Sequence, residues 1–253
     1  MSGVGGELRL LRLALQHHSA FAFGPDERFD SRSLRHLPAA GLAIGGFGTL
    51  ALWGAALWWP ATVAVGIAVA ATAWAGRALS ERALLQAFDP AARRLDAGSG
   101  SPSNAAAGIV ALVFVLMLKA LAIHGLARSD LVLAWIAMPL AGLLSRAVAV
   151  SLAHRLAAGD ATLRPGPRAA AARLSPGSLL AVALWCAGGV LAALSASIAP
   201  GRMLATLIVL AGVGAALDRA GRRSAVDADR AVAFAQPLGE LATYLVLLAV
   251  EWP

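Results

Sequence analysis

The stretch LVLAWIAMPLAGLLSRAVAVSLA, residues 131–153, decides the fold class of this chain. Its only charged residue is Arg146, and about 20 apolar residues are enough for a helix to cross the hydrocarbon core of a bilayer. The apolar residues are continuous rather than alternating and are rich in Ala and Leu, which favours a helix over a strand. The stretch therefore predicts a transmembrane helix with an arginine inside the membrane.

Further apolar stretches of similar character lie at 37–59, 61–76, 105–126, 176–199, 201–217 and 231–250. Two of them are short, and tight turns at Pro60 and at Pro200-Gly201 join them to their neighbours as helical hairpins. The chain is 59% hydrophobic, with a mean hydropathy of +0.72. We therefore predict an all-α polytopic membrane bundle of about seven transmembrane helices, forming a single domain over residues 37–253.

Residues 1–36 form a separate N-terminal segment in this prediction. Leu8, Leu11 and Leu15 follow helical spacing, while Arg9 and Arg12 lie off that face, a pattern typical of an amphipathic helix at the membrane interface. The arginines interrupt the leucines, so the segment does not resemble a cleaved signal peptide. The adjacent His17-His18 pair has no acidic or thiol companion, and we predict no role for it.

The arginines give an independent test of the topology. If the chain alternates sides at each crossing, Arg128 and Arg202 lie on one side and seventeen arginines lie on the side of the N-terminus: Arg9, Arg12, Arg28, Arg32, Arg35, Arg77, Arg82, Arg93, Arg94, Arg155, Arg164, Arg168, Arg173, Arg219, Arg222, Arg223 and Arg230. This asymmetry predicts that the N-terminus lies in the cytoplasm and the C-terminus outside. The net charge of +7 then indicates the anionic lipid bilayer as a partner rather than nucleic acid.

Three ionisable residues, Lys119, Arg146 and Glu240, fall inside the predicted membrane helices. Because such residues are costly unless paired or hydrated, each is a functional candidate. At 1.5 Å per residue, Arg146 lies about 10 Å and Glu240 about 14 Å from the cytoplasmic ends of their helices. They could pair, either as a structural ion pair or within a polar cavity for a substrate. Lys119 lies about 20 Å in, and it could join them or extend to the outer interface.

Four short stretches carry these residues in a recognisable order. The first stretch, SRSLRHLPAAGLAIGG (31–46), carries the pattern of Arg32, Pro38, Gly41 and Gly45. The second, GIVALVFVLMLKAL (108–121), has Lys119 eleven residues after a glycine. The third, LLSRAVAV (143–150), has the Ser145-Arg146 pair, and the fourth, LGELATYLVLLA (238–249), contains Glu240. In this order they resemble the cobalamin synthases, the adenosylcobinamide-GDP ribazoletransferases.

The resemblance implies a multi-pass enzyme of the bacterial inner (cytoplasmic) membrane that acts in cobalamin biosynthesis. It joins adenosylcobinamide-GDP to α-ribazole or its phosphate and releases GMP. The resemblance further implies corrinoid and nucleotide-like substrates, other corrinoid-pathway membrane proteins as further partners, and Mg²⁺ held by carboxylates that neutralises the reacting phosphoryl oxygens. It also implies that Lys119, Arg146 and Glu240 shape the polar interior. The family keeps its metal-binding aspartates in the connection after the second crossing.

In this chain Ser80, Leu84 and Ala87 fill those three aspartate places. Asp96 is the best remaining metal ligand, and Asp89 could fold back towards it because Pro90 ends the helix. We therefore predict Asp96, Lys119, Arg146 and Glu240 as catalytic residues and Asp96 and Asp89 as magnesium ligands.

Two alternatives remain open. With its aspartates replaced, the chain could be a non-catalytic relative that serves as a membrane scaffold or partner in the corrinoid pathway. A small transporter with Arg146 and Glu240 in its pathway is a weaker alternative, because the sequence has no internal duplication and no matching pair of broken helices.

Overall fold

The computed structural model describes residues 3–21, 23–24, 27–88, 105–158, 167–196 and 198–249. Within these ranges the regular structure is entirely helical, and no strand is present. The elements are α1 (Val4–His18), a 3₁₀ helix (Ser31–His36), α2 (Leu37–Ala56), α3 (Ala61–Ala75), α4 (Leu79–Phe88), α5 (Ala105–Ser129), α6 (Leu131–Ala157), α7 (Pro167–Ala171), α8 (Pro176–Ser195), α9 (Pro200–Gly221) and α10 (Ala225–Ala249).

Six helices in the described ranges are long and apolar enough to cross a membrane: α2 with the preceding 3₁₀ turn, α5, α6, α8, α9 and α10. The bent pair α3–α4 raises the number to seven if it counts as one span. The predicted all-α polytopic bundle is therefore confirmed. Several helices run about a turn beyond the predicted apolar stretches, α6 to Ala157 and α9 to Gly221, because backbone hydrogen bonding continues after the hydrophobic pattern has ended.

Helix α6 is the centre of the bundle and the most buried of the candidate spans. It packs against α2, α5, α8, α9 and α10. Leu143 and Met138 of α6, Leu52 of α2, and Tyr244 and Leu247 of α10 belong to one continuous apolar core. Helices α8 and α9 bury much less of their surface, which fits helices whose outer faces contact lipid.

Glycines permit the close crossing of α2 and α6. A Cβ atom added at Gly41 would collide with the Gly142 carbonyl, and one added at Gly142 would collide with the Gly41 carbonyl. At Gly45 an added Cβ would strike the carbonyl of Met138. Small residues four apart let membrane helices approach until their backbones touch. The two glycines of the 31–46 motif are thus explained by helix packing.

Helix α1 confirms the helix predicted in the N-terminal segment. It packs on α2 and the 3₁₀ helix, burying Leu13 and Ala14 while Leu8 stays 60% exposed. After it ends, the Ala20 N–H donates to the Ala75 carbonyl at 2.7 Å. This bond ties the C-terminal end of α1 to the end of α3.

A sharp bend separates α3 from α4. Arg77 and Ala78 have φ of 56° and 50°, the left-handed region that non-glycine residues rarely adopt, and the helix axis turns by 84°. Helix α4 then packs against α5 and α10. Residues 79–88 are therefore a packed helix of the bundle.

Candidate functional site

Three helices bring the intramembrane charges together in one buried cluster. Lys119 Nζ on α5 donates to Glu240 Oε2 on α10 at 2.7 Å, and Arg146 Nη1 on α6 donates to Glu240 Oε1 at 3.4 Å. Lys119, Arg146 and Glu240 are 6%, 4% and 8% exposed. The predicted Arg146–Glu240 pair is confirmed. The alternative that Lys119 extends to the outer interface is wrong, because its side chain turns inward to the shared carboxylate.

The glycine crossing of α2 and α6 also makes room for Arg146. A Cβ atom at Gly41 would lie 2.8 Å from Arg146 Cδ, and one at Gly76 would lie 3.9 Å from Nη2. The guanidinium donates a second hydrogen bond from Nη1 to the Gly142 carbonyl at 3.0 Å. The local glycines therefore let an arginine occupy a helix crossing where a larger neighbour would exclude it.

Two cations of the cluster, Lys119 and Arg146, share one contacting carboxylate, that of Glu240. Glu81 on α4 is close enough to interact electrostatically with both Lys119 and Arg146. With Glu81 the formal charges balance, and Glu240 is the carboxylate that both cations contact. Ammonium and guanidinium groups each carry several N–H donors, so the cluster is suited to lie beside an anionic ligand.

A cavity of about 840 Å³ lies one helical turn from this cluster. Its wall includes Ala149 and Val150, one turn beyond Arg146 on α6, and Gln236, one turn before Glu240 on α10. Further walls come from α1, the 3₁₀ helix, α4 and the α7 region. Its size lies within the range of small-molecule sites, which are typically ~300–1,000 Å³.

Two arginines, Arg168 and Arg173, line the cavity. Arg168 is only 6% exposed, and its Nε donates to Asp229 Oδ1 at 2.8 Å. Asp229 is the one acid among the lining residues that the structure describes. From the sequence we interpreted these arginines only as topology signals, because nothing in the local pattern shows that α7 folds inward against α10.

A family model for cobalamin-5-phosphate synthase matches residues 10–226, which is most of the chain. This chain belongs to the cobalamin-5-phosphate synthase family. The adenosylcobinamide-GDP ribazoletransferase of Leptothrix cholodnii is 34% identical over an alignment of 271 positions that covers 100% of this chain and 99% of the relative. No solved structure matched the chain significantly. The predicted family is confirmed.

The three places where the resemblance implies aspartates, Ser80, Leu84 and Ala87, lie on one face of α4 in this member of the cobalamin-5-phosphate synthase family. Leu84 and Ala87 are 1% and 5% exposed in the bundle interior, whereas Ser80 lines the cavity and donates from Oγ to Glu81 Oε2 at 2.8 Å. The described residues contain no group of three or more His, Cys, Asp or Glu side chains arranged to hold a metal ion, so no complete all-protein Mg²⁺ site lies among them. The predicted ligands Asp89 and Asp96 lie outside the described residues.

The structure places His18, which we predicted to have no role, in the wall of the cavity. The two neighbouring histidines differ: His17 Nε2 lies 3.0 Å from the Glu27 carbonyl, whereas His18 Nε2 is buried without a hydrogen-bond partner among the described residues. Both rings pack edge-on against Phe29. Helical spacing does not distinguish the two histidines; the long-range bond from Ala20 to Ala75 positions them.

Proposed function

We propose that this chain joins adenosylcobinamide-GDP to α-ribazole or α-ribazole phosphate, giving adenosylcobalamin or its phosphate and releasing GMP. The observation that carries the proposal is the arginine-lined cavity one turn from a buried, cation-rich cluster. Its chemistry suits the diphosphate of adenosylcobinamide-GDP, which is the anionic group that reacts. The printed activity of the Leptothrix cholodnii relative supports the same reaction.

In this reaction an oxygen of a ribazole hydroxyl forms a bond to the phosphorus next to cobinamide. The bond from that phosphorus to the oxygen of GMP breaks, GMP leaves with the electron pair, and the hydroxyl loses its proton. Arg168 and Arg173 would hold phosphoryl oxygens through charge-assisted hydrogen bonds, which arginine can make in pairs. The cation-rich cluster would stabilise the negative charge that grows on these oxygens and on the leaving group.

The protein is a multi-pass membrane protein, and we propose that it lies in the bacterial inner membrane with its N-terminus in the cytoplasm. The arginine asymmetry supports this orientation. The cavity residues Arg168, Arg173 and Asp229 come from segments that the same alternation places in the cytoplasm, where nucleotide substrates are present. A reporter enzyme fused after Pro253 should be active only outside the cytoplasm. Activity of a cytoplasmic reporter at that position would contradict the orientation.

Magnesium dependence is a further proposal, supported by the family resemblance and by the charge of the reacting diphosphate. Asp96 and Asp89 are the carboxylates we propose as its ligands. In Asp96→Asn the Mg²⁺ concentration that gives half-maximal activity should rise at least about tenfold, because a carboxylate ligand is replaced by a neutral one. Asp130→Asn, at the N-cap of α6, is the control. An unchanged Mg²⁺ requirement in Asp96→Asn would remove Asp96 from the metal site.

A reconstituted assay tests the function against the alternative of a non-catalytic scaffold. Proteoliposomes receive adenosylcobinamide-GDP, α-ribazole and Mg²⁺, and GMP is followed by chromatography, with empty liposomes as the control. Release well above the control is expected. A preparation that unfolds cooperatively, and is therefore folded, but releases no GMP would refute the proposed enzyme and leave the scaffold role, in which co-purification with other corrinoid-pathway membrane proteins should be found.

A further inference from the structure

His18 is a partly buried ionisable side chain whose ring packs against one aromatic neighbour. It ends α1, lines the cavity and packs edge-on against Phe29 at a centroid distance of 6.3 Å. Its Nε2 atom is buried and has no hydrogen-bond partner in the described part of the chain. Buried polar atoms are nearly always satisfied, so an unsatisfied one beside a cavity indicates a ligand that completes it.

The other lining side chains compare poorly with His18 as proton acceptors. Arg168 and Arg173 are cations with no acceptor atom. Asp229 already accepts a hydrogen bond from Arg168 at 2.8 Å, and Gln236 contacts Glu240. Within the described lining, His18 is therefore the group best placed to take up a proton from a bound substrate.

We infer that His18 is the general base of the proposed reaction and that its Nε2 accepts the proton of the attacking ribazole hydroxyl. The inference rests on the proposed function. As the hydroxyl oxygen bonds to the phosphorus next to cobinamide, its proton passes to Nε2, while the bond to GMP breaks and the electron pair leaves with the nucleotide. The imidazolium then returns its proton to GMP phosphate or to water, and neutral His18 is regenerated.

The electrostatic surroundings of His18 keep it in the required neutral form before substrate binds. Burial, the nearby Arg146 guanidinium and His17 lower the pKa of His18 to about 4. Arg168, Arg173 and Asp229 are the other charged groups in the same cavity wall. A diphosphate bound near these arginines offsets their positive charge, and it raises the pKa of His18 towards the range in which a general base works best.

Adjacent histidines supply a matched pair of variants for the test. His18→Gln keeps a hydrogen-bonding side chain of similar length, but glutamine cannot accept and release a proton as a base does. His17→Gln makes the same change at the neighbouring residue, whose Nε2 contacts the Glu27 carbonyl. We expect His18→Gln to lower kcat for GMP release by about 10²–10⁴-fold with the affinity for adenosylcobinamide-GDP changed less than threefold. His17→Gln should retain activity within threefold of the wild type.

Chemical rescue separates a proton acceptor from a residue that only shapes the wall. In His18→Ala, added imidazole should restore GMP release in a concentration-dependent manner, while it should leave the wild type unaffected. The inference is overturned if the wild type is active and His18→Gln matches His17→Gln, or if His18→Ala binds substrate normally and imidazole restores nothing. A wild type that releases no GMP overturns the proposed function instead, so the two failures are distinguishable.

Discussion

The carboxylate of Glu240 holds two buried cations, and its removal has a calculable effect. Glu240→Gln keeps the size of the side chain but removes the charge that lies 2.7 Å from Lys119 Nζ and 3.4 Å from Arg146 Nη1. At an effective dielectric constant of about 20, these attractions amount to about 6 and about 5 kcal/mol. Since burying the carboxylate costs several kcal/mol, we expect a net loss of about 5 kcal/mol in the free energy of unfolding.

Unfolding in mixed micelles with increasing SDS, followed by circular dichroism, measures this loss. Adding Lys119→Met to Glu240→Gln should restore about 2 kcal/mol of the free energy of unfolding. Methionine removes one uncompensated cation while it keeps an apolar side chain of similar length. Gln236→Ala is the control, since its 3.5 Å contact with Glu240 is marginal and should contribute less than about 1 kcal/mol. A loss below about 1 kcal/mol in Glu240→Gln would refute the reasoning that the carboxylate neutralises both cations.

Three other variants test the helix crossing, the cavity and the His18 imidazole. Gly41→Ala should destabilise the bundle by at least about 2 kcal/mol in the same assay, whereas Gly46→Ala, which meets open space, should be neutral or slightly stabilising; equal effects would contradict the crossing. Arg168→Gln should raise KM for adenosylcobinamide-GDP about 10–100-fold, whereas Arg128→Gln, which is exposed in a different part of the bundle, should not; equal KM values would exclude Arg168 from binding. The pKa of His18 is about 4 in the folded protein and 6.5 when unperturbed, so the unfolded chain takes up a proton at this residue before the folded protein does. His18 therefore leaves the free energy of unfolding unchanged above pH 6.5 and lowers it, by up to about 3 kcal/mol, as the pH falls towards 4. Thermal unfolding at pH 7 and pH 4.5 should show a smaller acid loss in His18→Gln than in the wild type, and equal losses would show that His18 does not titrate in this way.

The transmembrane helices and the Arg146–Glu240 pair were predictable because lipid imposes strong rules. In the hydrocarbon core of a membrane, backbone N–H and C=O groups must hydrogen-bond within the chain, which a helix achieves. Long apolar stretches therefore identify the transmembrane helices. Charges at similar depth inside a membrane have few options other than each other. Depth along a helix can be counted from the sequence, and this placed Arg146 and Glu240 within reach of one another.

The direction of Lys119 and the role of His18 were not predictable in the same way. Depth alone does not say which way a helix is rotated, and the rotation of α5 against α10 decides that Lys119 meets Glu240 at 2.7 Å rather than lipid headgroups. His18 depends on contacts far along the chain, including the bond from Ala20 to Ala75. The 84° bend between α3 and α4 was not predictable for a similar reason, because its two residues with positive φ, Arg77 and Ala78, are not glycines.

The identity of the product tests the proposed ribazole transfer most directly. The reconstituted protein, adenosylcobinamide-GDP and isotopically labelled α-ribazole are incubated together, and the corrinoid product is identified by mass spectrometry while GMP is quantified. We predict labelled adenosylcobalamin and GMP in equal amounts, with neither formed when α-ribazole is omitted. GMP released without α-ribazole, or a folded protein that yields no labelled corrinoid, would contradict ribazole transfer as the function of this chain.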